Sequence, residues 1–179
     1  FMPQDFIETA ELLDQLSADL ALAASRPEIE DVKEVLVEAG HVPAGRRKRR
    51  AGVPRSQPLS LTIGANVHVW IGRNSRQNDD VTFGRGSSDD WWFHARGIAG
   101  AHVIVRAPGG ELPGEAAQRA AELAAYFSQH RDEAYVDVDY TRRRHVRRIP
   151  GAAPGLVTYS EERTLRVVPR GPLPAEKEV

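Results

Sequence analysis

From Leu59 onward the chain breaks into short runs of β-branched and aromatic residues, with a single alanine-rich helical segment among them. Val67–Ile71, Trp91–His94 and His102–Arg106 read as strands, as do Tyr135–Tyr140, Val146–Ile149, Leu156–Tyr159 and Leu165–Val168. A turn-rich stretch with Gly109 and Gly110 leads to one clear helix, from Pro113 to about Gln129. Its inward face is mostly alanine (Ala116, Ala117, Ala120, Ala121 and Ala124) with Leu123 and Phe127. Small residues let a helix sit close to a sheet. Strands far outnumber helices, so the expected fold is α+β: a mainly antiparallel sheet with one long packed helix.

A short helical hairpin is expected in front of it. Over residues 5–24, Phe6, Leu13, Leu16 and Leu20 recur at helical spacing. Ser25 through Pro27 is a break, and Pro27 suits the first turn of a second helix. That helix carries Ile29, Val32, Leu36 and Val37 on one stripe, has acidic residues in its first turn, and stops at Gly40. Two such helices cannot hide their apolar faces alone. The expected organisation is therefore a helical segment over 1–42, a linker over 43–58, the main domain over 59–170, and a frayed tail over 171–179.

Charge is unevenly spread along the 179 residues, although its sum is only −1. Residues 1–42 hold ten Asp and Glu against two Lys and Arg, residues 46–55 hold six basic residues and no acid, and residues 59–170 hold fifteen Arg and no Lys. With no cysteine, disulfides, thiol nucleophiles and sulfur-bound zinc are excluded. No apolar run approaches the roughly 18 residues that span a membrane. No basic segment followed by an apolar core opens the chain, so a cytoplasmic location without a secretory signal is expected.

Three polar stretches could carry function. The first, after the Val67–Ile71 strand, packs Arg73, Asn74, Arg76, Gln77 and Asn78 together. Such amides and guanidiniums either bind a sugar–phosphate backbone and base edges or stabilise a turn. The second holds Trp91, Trp92, His94, Arg96 and His102. Adjacent tryptophans on a strand point to opposite faces, so one belongs to the core and the other could stack on a base. The two histidines are either structural or functional, and no third residue at useful spacing suggests a metal. The third places Arg142, Arg143, Arg144, Arg147 and Arg148 within seven residues. It is either a phosphate-binding patch or a solvated hairpin whose arginines pair with nearby acids. The basic run 46–50 is likewise either a phosphate-gripping arm or a linker. There is no G-x-S-x-G, Walker A, H-E-x-x-H or G-x-G-x-x-G signature, so no catalytic residue and no cofactor is expected.

Together these stretches closely resemble the RNA-binding domain of the NFACT family of ribosome quality-control proteins, whose bacterial members were long described as fibronectin-binding. The resemblance runs through Gly72-Arg73-Asn74, Gln77-Asn78-Asp79 and Thr82, then Asp90 with Trp92-Phe93-His94-Ala95-Arg96 and Gly100-Ala101-His102-Val103. It continues through Ala124-Ala125-Tyr126-Phe127-Ser128, Val138-Asp139-Tyr140-Thr141 and Pro154-Gly155-Leu156-Val157. Ala99 and Ala101 stand where the family pattern has Pro and Ser. The resemblance implies a C-terminal fragment in which residues 1–42 end a coiled-coil middle region. It further implies a non-catalytic RNA-binding module whose partners are tRNA, the large ribosomal subunit and the rest of the parent protein. The whole protein would recruit tRNA so that an alanine-rich tail is added to a stalled nascent chain. Two alternatives come from other classes: a nucleic-acid-processing enzyme using His94 and His102, and a surface adhesin.

Overall fold

Leu59–Ile63 (β1) and Val67–Ile71 (β2) pair antiparallel around a tight turn in which Asn66 takes a left-handed φ of 62°. In the computed structural model, which describes residues 4–45 and 54–177, this hairpin begins a six-stranded sheet. The further strands are Trp91–Ala95 (β3), Val103–Arg106 (β4), Val136–Arg142 (β5), Val146–Arg148 (β6), Val157–Tyr159 (β7) and Arg163–Val167 (β8). The large sheet has the order β1-β2-β4-β3-β5-β8, all neighbours antiparallel, and β6 and β7 form a separate two-stranded hairpin. The α+β architecture is the expected one. Leu59–Ile63 is a strand that the residue pattern had not separated from the β-rich region as a whole.

Two-residue alternation sends each strand's residues to opposite faces. Leu61, Val69, Ile71, Phe93, Val103 and Val138 point to one side and are fully buried. The helix Gly114–Tyr126 lies over them and inserts Ala120, Ala121, Leu123 and Ala124, all with no exposed surface. The opposite face has its own core of Val81, Trp92, Ile104 and Val146. A short helix at Ser75–Asp79, a π-helical turn at Asp80–Arg85 and the β6–β7 hairpin supply its cover.

The N-terminal helices are Gln4–Leu22 (α1) and Arg26–Glu38 (α2), with the short helix Ser75–Asp79 as α3 and Gly114–Tyr126 as α4. α1 and α2 meet through Leu12, Leu16, Val32 and Val35, with Ala153 and Leu156 of the β6–β7 connection beside them. This corrects the expected stripe. Phe6, Leu13, Leu20 and Ile29 are exposed, at 59, 45, 48 and 49% respectively. The helix turns inward a face that includes the buried polar pair Gln15 and Asp19, so its orientation follows hydrogen bonding as much as hydropathy.

Of the tail expected to fray, the described residues 171–177 are docked. Arg119 on α4 donates to the carbonyls of Arg170 and Gly171 and to the Glu176 carboxylate, and Lys177 bridges to Leu61. The basic run 46–50 lies outside the described residues. Among the described residues, no helix is long and apolar enough to cross a membrane.

The close fit of α4 makes a direct prediction. Ala120→Leu forces a larger side chain against the sheet and should lower the unfolding free energy by about 1–3 kcal/mol. Urea denaturation, with the exposed Gln118→Ala as a control, measures it.

Candidate nucleic-acid interface

The polar segment after β2 is held from within. Asn74 is the N-cap of α3, its Oδ1 accepting from the Gln77 amide at 2.9 Å, while Gln77 Oε1 accepts from the Arg73 amide at 3.0 Å. Asn78 reaches across to the β3–β4 turn. Its Nδ2 donates to the Gly100 carbonyl at 3.2 Å, and its Oδ1 accepts from the His102 amide at 2.9 Å. Gly72 lies against Asn78 so closely that a Cβ there would sit 2.6 Å from the Asn78 nitrogen. Asn74, Gln77 and Asn78 are all buried. The expectation that their side chains contact RNA is therefore replaced by a structural role, because their polar atoms are already paired inside the chain.

Carboxylates of the helical hairpin complete this network. Asp19 accepts from the Ser75 amide at 2.8 Å and from Ser75 Oγ at 2.9 Å. Burial pushes its carboxyl up to about 6, opposed by the hydrogen bonds from Gln15 and Ser75. Asp31 accepts from the amide and hydroxyl of Ser56 and lies 3.5 Å from Asn74 Nδ2. Arg73 pairs with Glu28 at 3.1 Å, and Arg76 with Glu38 at 2.6 Å. Both arginines thus face α2. The loop read from the sequence as a ligand site is where the hairpin docks.

The tryptophans divide as alternation requires. Trp92 is fully buried, stacked on His94 at 5.5 Å and packed against Tyr159 at 4.7 Å. Trp91 is partly covered on the α4 side, where the Arg142 guanidinium sits 3.9 Å above its ring and its Nε1 donates to the Gly110 carbonyl. Arg142 also donates to the Asp89 and Gly110 carbonyls. Trp92 and Arg142 are consequently parts of the scaffold rather than ligand contacts.

A different surface gathers cations and aromatic rings. Arg148 lies 4.1 Å from the centre of the Phe83 ring and pairs with Asp79 at 2.8 Å. Arg143 lies over the same ring at 5.7 Å, and its Nε is buried without a hydrogen-bond partner. Next along the surface, Arg106 lies 4.9 Å from Trp70 and grips Asp90 with two donors, at 3.0 and 2.7 Å. It also donates to the Arg85 carbonyl and to Ser87 Oγ. Arg144 pairs with the exposed Asp89, whereas Arg147 is exposed with no carboxylate partner among the described residues. Trp70, Phe83, Arg85 and Arg106 were not singled out in the sequence. The signal was there for Trp70: it alternates with Val69 and Ile71 and so belongs to the face away from α4.

His94 and His102 come together under this layer, rings 5.3 Å apart and nearly perpendicular. Thr82 Oγ1 is 2.9 Å from His102 Nδ1. Burial lowers His94 to about 4, despite the opposing charge of Asp139, and lowers His102 well below the usual imidazole value, helped by His94 itself. Both are neutral at pH 7. Asp139 accepts from Tyr159 and Thr164, at 2.7 and 2.6 Å, and lies 3.6 Å from Arg96, which is exposed. Burial and the Asp139 carboxylate together push the Tyr159 hydroxyl up. Among the described residues, no three His, Asp or Glu side chains are grouped to hold a metal ion.

The profile of the NFACT protein RNA binding domain matches residues 62–160. The chain belongs to this family. The NFACT domain here is 37% identical over 166 residues to the Rqc2 homolog RqcH of Bacillus subtilis, covering 90% of this chain and 28% of that protein. It is 36% identical over 149 residues to RqcH of Streptococcus pneumoniae serotype 2, covering 82% of this chain and 26% of that protein. The chain thus spans about a quarter of the length of these curated relatives. A solved structure, the C-terminal part of the fibronectin/fibrinogen-binding protein from Streptococcus suis, superposes with a TM-score of 0.82 at 32% identity, over 93% of this chain and 66% of that one.

Two measurements test this NFACT site's architecture. Asn78→Ala strands the buried His102 amide and leaves the Gly100 carbonyl only its 3.4 Å contact with Gln15, and should cost about 1–3 kcal/mol, read by urea denaturation. The unfolded chain protonates His94 near 6.5 but the folded chain only near 4, so His94's contribution is full above pH 6.5 and is lost as pH falls toward 4. The loss of stability between pH 7 and 5 should be smaller in His94→Gln than in the native chain. Comparing the two chains cancels the opposite trend from Asp19, whose raised carboxyl favours the folded state at low pH.

Proposed function

We propose that this chain is a non-catalytic RNA-binding module of a ribosome-associated quality-control factor, and that it meets RNA through the arginine–aromatic surface. The observation that carries this reading is the placement of Arg106 over Trp70 and of Arg143 and Arg148 over Phe83 on one continuous face. Guanidiniums stacked on rings keep their edge donors available to phosphate while the ring fixes their orientation.

The family description and the likeness to RqcH support a ribosomal setting. In this reading the RNA is tRNA or large-subunit rRNA, and the parent protein's work is the alanine tailing of stalled nascent chains. The chain acts in the cytoplasm, contributes affinity and position, and leaves the chemistry elsewhere. His94 and His102 do not serve as a nuclease pair: both are held neutral by burial, and His102 has one nitrogen engaged with Thr82.

Fluorescence anisotropy with labelled tRNA across a salt series is the test. Affinity should fall steeply with salt, and the RNA should be recovered uncut on a gel. Removing two phosphate contacts should flatten the log–log slope by about 1.4 for single strands, or about 1.8 for duplex. Arg143→Gln with Arg147→Gln should do so, whereas Arg166→Gln, on β8 and paired with Asp137, should leave the slope alone. Salt-independent binding, or a slope untouched by the double variant, sinks the reading.

A further inference from the structure

Between α1, the β3–β4 turn and the β6–β7 hairpin lies a groove of about 300 Å³. His94 and His102 line its depth, Ile98 and Leu156 provide apolar walls, and Glu11 and Asp14 stand at its mouth. His102 is 2% exposed, its Nδ1 lies 2.9 Å from Thr82 Oγ1, and its ring also meets the Asn78 backbone. The His94 ring lies flat on Trp92 and is hydrogen-bonded to the Ala95 backbone, which engages one of its two nitrogens. The groove therefore ends at the His94 imidazole, one nitrogen of which has hydrogen-bonding capacity left over.

We propose that this groove receives a single unpaired nucleobase, with guanine preferred. The inference rests on the RNA-binding reading and adds a second, base-specific contact to it.

Three properties select the ligand. The first is charge. The imidazoles are neutral at pH 7 and the mouth is acidic, so a phosphate is repelled, while an uncharged heterocycle is not. The second is shape. Flat ring and aliphatic walls suit a planar bicycle, which is how unpaired bases are held when extruded from a stack. The third is the donor and acceptor pattern. Carboxylates only accept, and neutral imidazole offers one donor and one acceptor. Guanine presents its ring N–H and amino group as adjacent donors, with acceptors at N7 and O6. Uracil presents a single ring N–H between two carbonyl oxygens, which the carboxylates would repel.

The position fits the surface already described. Val146 on β6 pairs with Tyr159 on β7, so the hairpin separates the arginine–aromatic face from the groove. Arg148 sits on the first side, Tyr159 lines the second, and Arg147 stands exposed between them. A strand that follows the arginines can cross the hairpin and turn one base inward.

Guanosine and uridine, neither carrying phosphate, are titrated into the full chain while the ring signals of His94 and His102 are followed by NMR. Guanosine should move both rings saturably, and uridine should bind at least about ten-fold more weakly. Glu11→Gln with Asp14→Asn, both on the exposed side of α1, should weaken guanosine several-fold while signals from the sheet core stay in place. The proposal fails if guanosine at saturation leaves the rings unmoved, if uridine binds equally well, or if the α1 double variant has no effect. It also fails if zinc alone shifts the two rings and guanosine does not, which would make the groove a metal site. Nucleosides do not touch a phosphate surface, so their failure leaves the salt-dependent RNA contact standing. Conversely, guanosine binding without tRNA binding would overturn only the arginine–aromatic reading.

Discussion

Asn78 holds the β3–β4 turn to the segment after β2, giving a proton to the Gly100 carbonyl and taking one from the His102 amide. Much of the functional half of the molecule hangs on that side chain. Gly72 must lack a Cβ for Asn78 to come so near, and the Gly72 amide returns a hydrogen bond to the His102 carbonyl. With Asn78 in place, α3 ends directly against the sheet. The π-helical turn that follows then lays Val81 on the core and sets Thr82 beside His102. The same turn carries Phe83 and Arg85 outward to the face where Arg106, Arg143 and Arg148 gather.

The helical hairpin is tied to the same network by charge. Asp19, Asp31 and Glu28 each reach a group of the segment Arg73–Ser75. Burying a carboxylate is unfavourable unless donors surround it, and Asp19, with its raised pKa, carries part of that unfavourable desolvation. What it supplies in exchange is geometry: a hydrophobic contact could slide by a turn, whereas two hydrogen bonds to Ser75 cannot. The hairpin therefore has a defined seat, and that seat also builds one wall of the groove above His94 and His102.

The sheet and α4 were legible because their residues obey the periods that burial imposes. Val136 and Val138 alternate with Asp137 and Asp139, and Ala116, Ala120 and Ala124 recur along one helical face. The site was harder to read. Arg, Asn and Gln in a short stretch look alike whether they face RNA or their own backbone, and Asn74 three residues before Gln77 is a capping pattern that was not weighed. The α1 stripe failed for a related reason. Leu13 and Leu20 have the right spacing, but the inward face is set by Gln15 and Asp19, whose partners Gly100 and Ser75 are distant in sequence. Trp70 and Arg106 meet only because β2 and β4 are neighbours in the sheet, with His68 opposite Arg106 and Trp70 opposite Ile104. No local pattern announces such a pair.

The arginine–aromatic face is also less positive than its arginines suggest. Arg148, Arg106, Arg85 and Arg144 each have an aspartate partner, namely Asp79, Asp90, Asp80 and Asp89. Exposed pairs such as Arg144–Asp89 contribute only about 0–1 kcal/mol, so phosphate can displace that aspartate at little loss, whereas buried Asp90 holds Arg106 in place. Meanwhile the aspartates keep each arginine extended and correctly aimed, reducing the side-chain entropy lost on binding. The long-range attraction then falls to Arg143 and Arg147, which lack such partners among the described residues, and two unbalanced charges make a modest field at physiological salt. A surface that is well aimed but weakly attractive works best when tethered, since a linked second contact raises the local concentration of RNA without adding a single interaction. In the curated relatives, where the matched stretch is about a quarter of the length, such a module is tethered in this way.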